Sequence, residues 1–216
     1  MNIHSDFRET LPHPKDSEHL VALSEEHVRR TMDRKEAILD AALELFSERG
    51  FHGTTVAMIA QRANVGAGTI YRYFADKDDL VNALFQQWKQ AMMDALIRGL
   101  PTDLSPRRLF HELWRRFAKF SRDNPLVLTF LEFHYHASYL SEASRELCDG
   151  FHDHFLELFD ELRQKQITKD APPQLVFALV IGAFTVVEKA FQSGELERSP
   201  ESEALAEELC WEAIRR

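Results

Sequence analysis

Cysteine is scarce in this chain of 216 residues, which contains only Cys148 and Cys210. Two cysteines so far apart give no disulfide framework of the kind that stabilises small secreted domains. We therefore expect both thiols to be reduced and packed in the interior. The N-terminus carries Asp6 and Glu9 instead of a signal-peptide pattern, and no stretch approaches the roughly 18 continuous apolar residues of a membrane span. The expected location is the cytoplasm.

Sequence signatures of catalysis are also missing. The chain contains no nucleophile elbow, phosphate-binding loop or zinc-protease motif. It has no alternating strand pattern and no internal repeat, and its apolar residues instead follow helical spacing between Pro and Gly breaks. These absences predict an all-α protein that is not an enzyme and uses no cofactor.

A helix-turn-helix pattern begins at Thr54. Either Thr54 or Thr55 can cap the first helix, and Asn64 can end it because Asn tolerates the left-handed conformation. The second helix turns Ile70 and Phe74 inward, which leaves hydroxyl groups and a guanidinium facing outward. Such groups suit the phosphates and base edges of a DNA major groove.

The alternative is a small helical core whose outward residues are only solvated. Tyr71 and Tyr73 are two residues apart, so they cannot both be buried on one narrow helix face. At least one large aromatic side chain is therefore expected outside, which favours DNA binding.

The flanking segments extend this pattern into a family resemblance. An amphipathic helix before the motif ends at Gly50, and Asp76 begins another helix after it. From about residue 34 to residue 84, the chain resembles the DNA-binding domain of TetR-family transcriptional repressors. The spaced elements that match are Ala41-Ala42, Phe46, Gly50-Phe51, Thr54-Thr55, Ile59-Ala60, Ala63, Val65, Gly68-Thr69-Ile70-Tyr71, Tyr73-Phe74, Lys77 and Leu80. Asn64 and Gly66 depart from the usual pattern, which commonly has Gly and Ser there.

The resemblance implies a homodimer that represses transcription and is released from its operator by an inducer bound in the second domain. The symmetry of a dimer predicts a palindromic operator, and the aromatic residues of the second domain predict that the inducer is small and largely apolar. It implies that recognition-helix residues face the groove and that neighbouring residues contact phosphates or lie near the bases. The groove-facing set is Ala67, Gly68, Thr69, Tyr71 and Arg72, the phosphate set is Thr55, Tyr73 and Lys77, and Ala57 lies near the base edges. Arg72 is the only long donor facing the groove, so it is the candidate for a guanine contact.

The net charge of −9 first argues against DNA binding. Between residues 29 and 81, however, eight basic residues balance eight acidic ones, so the rest of the chain carries the excess. A DNA-binding domain without net charge, joined to an acidic second domain, should be repelled by DNA except at its DNA-binding face. Non-specific binding should therefore be weak and should depend steeply on salt.

Three regions are expected along the chain. Residues 1–30 form an N-terminal extension that is largely disordered or weakly helical, residues 31–80 form the DNA-binding domain, and residues 81–216 form a helical ligand-binding and dimerisation domain. The basic end of the extension, Arg29 and Arg30, could lie against DNA or remain solvated.

The segment from Leu175 to Phe191 is apolar around nearly its whole circumference, so it must be covered on both sides. A second copy is the covering that the resemblance implies, and a central helix of a monomeric bundle is the alternative. The predicted interface residues are Phe177, Val180, Phe184 and Val187.

Aromatic residues are unusually dense in the second domain, which predicts a ligand pocket, although such a stripe can also be plain core. The predicted pocket residues are Trp114, Phe117, Phe130, Phe133, His134 and Phe155. Metal sensing is the alternative, through one histidine each from His134-Tyr135-His136 and His152-Asp153-His154. Residues two apart on a helix point in opposite directions, so neither pair can chelate an ion alone. No metal ligand is therefore assigned.

Overall fold

A computed structural model describes residues 33–216, and within them every regular element is a helix. The one β-type pairing in this part of the chain is an isolated bridge between Thr168 and Arg215. The helices are α1 (residues 33–49), α2 (Val56–Arg62), α3 (Ala67–Ile70), α4 (Lys77–Ile97), α5 (Pro106–Asp123), α6 (Pro125–His134), α7 (Glu142–Gln164), α8 (Pro173–Ser193) and α9 (Pro200–Ile214). The all-α prediction is confirmed. The expected extension over residues 1–30 lies outside the described residues.

The first three helices pack around one apolar core. Ile38 and Phe46 of α1, Ile59 of α2 and Ile70 of α3 are almost completely buried. Asn64 adopts the left-handed conformation, with φ 53°, so the chain turns sharply from α2 into α3 as the sequence predicts. Isolated helices as short as α2 and α3 are marginal in water, so burial of their apolar residues in this core stabilises them.

Helix α4 connects the two halves of the molecule. Asp76 caps it by accepting a hydrogen bond of 2.8 Å from the backbone amide of Asp79. Its 21 residues span about 30 Å. The buried Leu80 near its start packs in the core, and Lys89 and Met92 further along lie in the second half. One continuous helix therefore reaches from the helix-turn-helix unit into the second domain.

Helices α5, α7 and α8 enclose an aromatic core in the second half. The rings of Phe117 on α5 and Phe184 on α8 stack with centroids 3.8 Å apart and 7° between their planes. Helix α9 is tied to α5 through the buried Glu207, whose carboxylate contacts Arg107 and lies 2.7 Å from Nδ1 of His111. Because both partners come from α5, the ion cluster fixes α9 against it.

Aromatic contacts join the two halves. Tyr139, in the loop after α6, stacks on Phe51 with ring centroids 3.9 Å apart. His134 at the end of α6 is fully buried, packs edge-on against Phe46 and hydrogen-bonds through Nδ1 to the Tyr139 hydroxyl. The α6 end thus docks directly on the end of α1.

Helix α8 is the one helix within residues 33–216 that is long and apolar enough to cross a membrane, with a mean hydropathy of 1.7 over its most apolar window. Its apolar run is shorter than a membrane span because Thr185 interrupts it and Glu188 and Lys189 end it. The core helix of a soluble protein can be equally long and apolar, so this composition is weak evidence for a membrane span. Its apolar side chains on one face are covered here by α5 and α7, and the opposite face remains exposed.

Candidate nucleic-acid interface and ligand cavity

The two threonines before α2 have different roles. Thr55 caps the helix, since its Oγ1 accepts a 3.2 Å hydrogen bond from the amide of Met58. Thr54 is fully buried, and its hydroxyl lies 3.0 Å from the carbonyl oxygen of Leu45 and 2.9 Å from that of Gly50. Thr54 therefore anchors α2 to the end of α1, while Thr55 remains on the surface.

Helix α3 ends at Ile70, earlier than the sequence predicts, and together with the turn of residues 71–74 it presents an exposed face built from small and polar residues. Ile70 and Phe74 point into the core, as the sequence predicts, while Tyr71 is 56% exposed. Ala67, Gly68 and Arg72 are also exposed. A Cβ built on Gly68 would meet no heavy atom within 4 Å, so the backbone here lies at an open surface. Another molecule can approach this turn of α3 very closely.

Arg72, which follows α3, and Arg62, at the end of α2, differ in whether they pair with carboxylates of the protein. Arg62 at the end of α2 forms ion pairs with the carboxylates of Glu44 and Glu48 on α1. Within residues 33–216, the Arg72 guanidinium makes no ion pair or hydrogen bond. Its donors are therefore available to a phosphate or a base edge.

The Lys77 ammonium is partly engaged by the protein itself. It donates hydrogen bonds of 2.9 and 3.0 Å to the carbonyl oxygens of Phe51 and Thr54, and it lies 4.0 Å from the centroid of the Phe51 ring. These contacts tie the first turn of α4 to the turn between α1 and α2. One of its three N–H groups is left for a phosphate, so that contact remains a prediction.

The second domain contains an apolar cavity of about 60 Å³ between α5, α7 and α8. All the side chains that line it are apolar, and they include Trp114, Phe117, Phe155, Phe177 and Phe184. A space of this character stays dry and accepts apolar groups.

An open cleft of about 690 Å³ adjoins the cavity. The side chains of Phe117, Phe151, Phe177 and Ile181 line both spaces and form the apolar wall between them. The cleft also has polar lining residues, and these are Lys89, Glu132, Tyr135, His136, His152, Gln174 and Thr185. Its volume lies within the roughly 300 to 1,000 Å³ typical of small-molecule sites.

Two family models cover nearly all of the described chain. The model for bacterial regulatory proteins of the tetR family matches residues 38–84, and the model for the tetracyclin repressor-like C-terminal domain matches residues 85–216. The chain belongs to the TetR family. Its members are DNA-binding transcriptional regulators and not enzymes, as the sequence predicts.

Individual TetR-family relatives match parts of the chain. The HTH-type transcriptional regulator HbdR of Aromatoleum sp. (strain CIB) is 38% identical over 87 residues, which cover 38% of this chain and 36% of that protein. The fatty acid metabolism regulator protein of Bacillus subtilis (strain 168) is 30% identical over 120 residues, 53% of this chain and 60% of that protein. The chain thus spans less than two thirds of these curated relatives.

A solved TetR-family structure reproduces the whole arrangement. The crystal structure of a TetR family transcription regulator from Marinobacter aquaeolei VT8 has a TM-score of 0.77 and covers 87% of this chain and 98% of its own. At 21% sequence identity, this likeness shows the fold alone.

Three of the predicted pocket residues lie away from both cavities of this TetR-family protein. Phe130 and His134 are fully buried in the joint with the helix-turn-helix unit, and Phe133 is 65% exposed beside it. A Cβ on Gly50 would lie 3.2 Å from the Phe133 ring, so Phe133 covers the end of α1. Neither cavity therefore supports these three predictions, because sequence spacing on α6 did not reveal which half of the molecule the helix faces. Trp114, Phe117 and Phe155 do line the apolar cavity.

The predicted dimer residues mostly face inward. Phe184 is 2% exposed and stacks within the protomer, so it cannot meet a second copy and that prediction is wrong. Phe177 and Val180 line the apolar cavity, and Val187 lies in a groove between α5 and α9. The exposed apolar residues on α8 and α9 are instead Leu175, Leu179, Val186, Leu205 and Leu209.

The histidine clusters give metal sensing no support. Within residues 33–216, no group of three or more His, Cys, Asp or Glu side chains is close enough to hold an ion. Burial lowers the pKa of His134 to about 4, and its Nδ1 bonds to Tyr139. Both cysteines are free and buried, as the sequence predicts for their packing.

Proposed function

We propose that this TetR-family protein is a homodimeric repressor that binds a palindromic operator in the cytoplasm and is released by a small, largely apolar molecule. The proposal rests on the observation that α4 connects the helix-turn-helix unit to the cleft of the second domain. The helix is fixed to the helix-turn-helix unit by Lys77 and carries Lys89 and Met92 into the wall of the cleft. A ligand that moves α4 must also move the recognition helix.

The reading head uses the exposed face of α3. Arg72 reads a guanine, while Tyr71, Thr69, Gly68 and Ala67 fit against the groove. The open backbone at Gly68 supports a close approach to DNA. Thr55, Tyr73 and Lys77 hold phosphates, and Ala57 lies near the bases.

A second copy covers the exposed leucine and valine face of α8 and α9. Leu175, Leu179 and Val186 follow helical spacing on α8, and Leu205 and Leu209 extend the same apolar surface onto α9. An isologous four-helix interface would bury all five. Two reading heads would then enter successive major grooves about 34 to 36 Å apart, which requires an inverted repeat.

Selection from a pool of random DNA duplexes tests the reading head. The recovered sites should be inverted repeats, and Arg72→Ala should lose discrimination at one position of each half-site, by ~1 to 3 kcal/mol. Arg98→Ala, an exposed arginine at the end of α4 away from the reading face, serves as the control and should behave as the wild type. Recovery of no common sequence would refute specific recognition.

Ligand response needs a separate measurement. A thermal-shift screen with apolar small molecules should give stabilising compounds, and each of these should release the selected duplex in fluorescence anisotropy. Compounds that stabilise the protein but leave the DNA bound would contradict the proposed coupling through α4.

A further inference from the structure

Lys89 is a buried cation without a protein counter-ion. Its residue surface is 6% exposed, and within residues 33–216 no carboxylate forms an ion pair with it. Its ammonium lies 4.0 Å from the ring centroid of Phe151 and 5.8 Å from that of Tyr135. A charge removed from water in this way is costly unless it is paired.

The neighbouring groups do not supply the missing negative charge. Burial raises the pKa of the Cys148 thiol, which therefore stays neutral near pH 7. Glu132 is the one carboxylate in the lining of the cleft, and it pairs at 2.6 Å with Lys189 at the half-exposed rim. Burial also lowers the pKa of Lys89, the sign expected for an ammonium group that lacks an anionic partner.

Lys89 lies where its charge can contact a bound ligand. Lys89 lines the 690 Å³ cleft, and the cleft shares Phe117, Phe177 and Ile181 with the all-apolar cavity behind it. One cationic group therefore stands in a cleft that also has apolar walls, which include Met92, Leu128 and Leu131. A ligand that satisfies both parts has one negative charge and an apolar tail.

We infer that the inducer is an amphiphilic monoanion, whose carboxylate pairs with Lys89 while its hydrocarbon part lies between Phe117, Phe177 and Ile181. This inference rests on the proposed ligand response of the second domain. A cationic ligand is disfavoured because the Lys89 ammonium already occupies the face of Phe151 and would repel it.

Three probes with unbranched tails of similar length and different head groups test the inference on the full chain without DNA. These are octanoate, 1-octanol and octyltrimethylammonium, measured by isothermal titration calorimetry. Octanoate should bind roughly ten- to a hundredfold more tightly than 1-octanol, because only the carboxylate can form a charge-assisted pair with the Lys89 ammonium. Octyltrimethylammonium should bind more weakly than either.

Lys89→Met should reduce octanoate binding to the level of 1-octanol and leave 1-octanol unchanged. Lys165→Met, which removes an exposed lysine of α7 outside the cleft, should keep the wild-type ratio. If Lys89→Met does not fold, Lys89→Gln makes the same test with a polar side chain. Ile181→Trp should weaken octanoate and 1-octanol alike, since the larger side chain fills the apolar part of the cleft.

Equal affinity of wild type for octanoate and 1-octanol, no saturable octanoate binding, or an unchanged ratio in the Lys89 variant would overturn the inference. A DNA-release assay separates it from the proposed function. Lys89-dependent octanoate binding that leaves the operator occupied would refute the ligand response and retain the head-group site.

Discussion

Acid should destabilise this protein through His134. The side chain has no exposed surface and lies between Phe46 of the helix-turn-helix unit and Tyr139. Burial lowers its pKa from 6.5 to about 4. The unfolded chain, in which His134 has its ordinary pKa, therefore takes up a proton at a higher pH than the folded protein does. Stability is fully present above about pH 6.5 and is lost as the pH falls toward about 4.

The size of this effect follows from the two pKa values. A tenfold difference in proton affinity is worth ~1.4 kcal/mol, so a pKa of about 4 against 6.5 amounts to about 3 kcal/mol. That is a large part of the roughly 5 to 15 kcal/mol that holds a typical domain folded. Because His134 lies at the joint, its protonation should weaken the contact between α6 and α1.

Urea denaturation between about pH 7.5 and about pH 4.5 measures this loss. His134→Asn keeps a side-chain group that can bond to the Tyr139 hydroxyl but cannot titrate, so its stability should fall less with pH than that of wild type. The exposed His154→Asn on α7 is the matched control and should follow wild type. One protomer concentration is used throughout, since a dimer's stability depends on it. Parallel curves for wild type and His134→Asn would refute the reasoning.

Three further predictions concern the hydrogen bonds of Lys77, the aromatic core around Phe184 and the proposed dimer interface at Val186. Lys77→Met should destabilise the protein by roughly 1 to 3 kcal/mol, because it leaves two carbonyl oxygens without their donor. Unchanged stability with a salt slope of DNA binding lowered by about one would make Lys77 a phosphate contact only. Phe184→Ala should cost roughly 3 to 5 kcal/mol in denaturation but leave a dimer, because the ring packs on Phe117 inside the protomer. Val186→Glu should give a folded monomer that no longer binds a palindromic duplex tightly. Light scattering decides the last two, and a dimeric Val186 variant would place the interface elsewhere.

The helix-turn-helix unit could be read almost completely from sequence, because local chemistry determines it. Asn64 takes the left-handed turn, Thr55 and Asp76 cap their helices, and Ile70 and Phe74 point inward. Each of these features depends on residues within a few positions of one another. Periodicity and capping rules are reliable over such distances.

Assignments in the second domain failed where they depended on direction in space. Helix α8 is apolar all round, so its sequence predicts two covered sides without telling which side meets α5 and which meets a second copy. The structure turns Phe184 inward against Phe117 and leaves Val186 65% exposed. Likewise, Phe130 on α6 faces the joint with α1 and not a cavity.

The sequence by itself determined the all-α class, the helix caps of the helix-turn-helix unit and the TetR family, because caps, breaks and apolar spacing act locally. Only the tertiary structure decided what each apolar face meets. It gave Lys77 hydrogen bonds to the carbonyl oxygens of Phe51 and Thr54, and it placed Lys89, without an ion pair, in the wall of the open cleft. A lysine in a helical pattern carries no sign of its burial, because burial and pairing depend on residues that are brought together only when the chain folds.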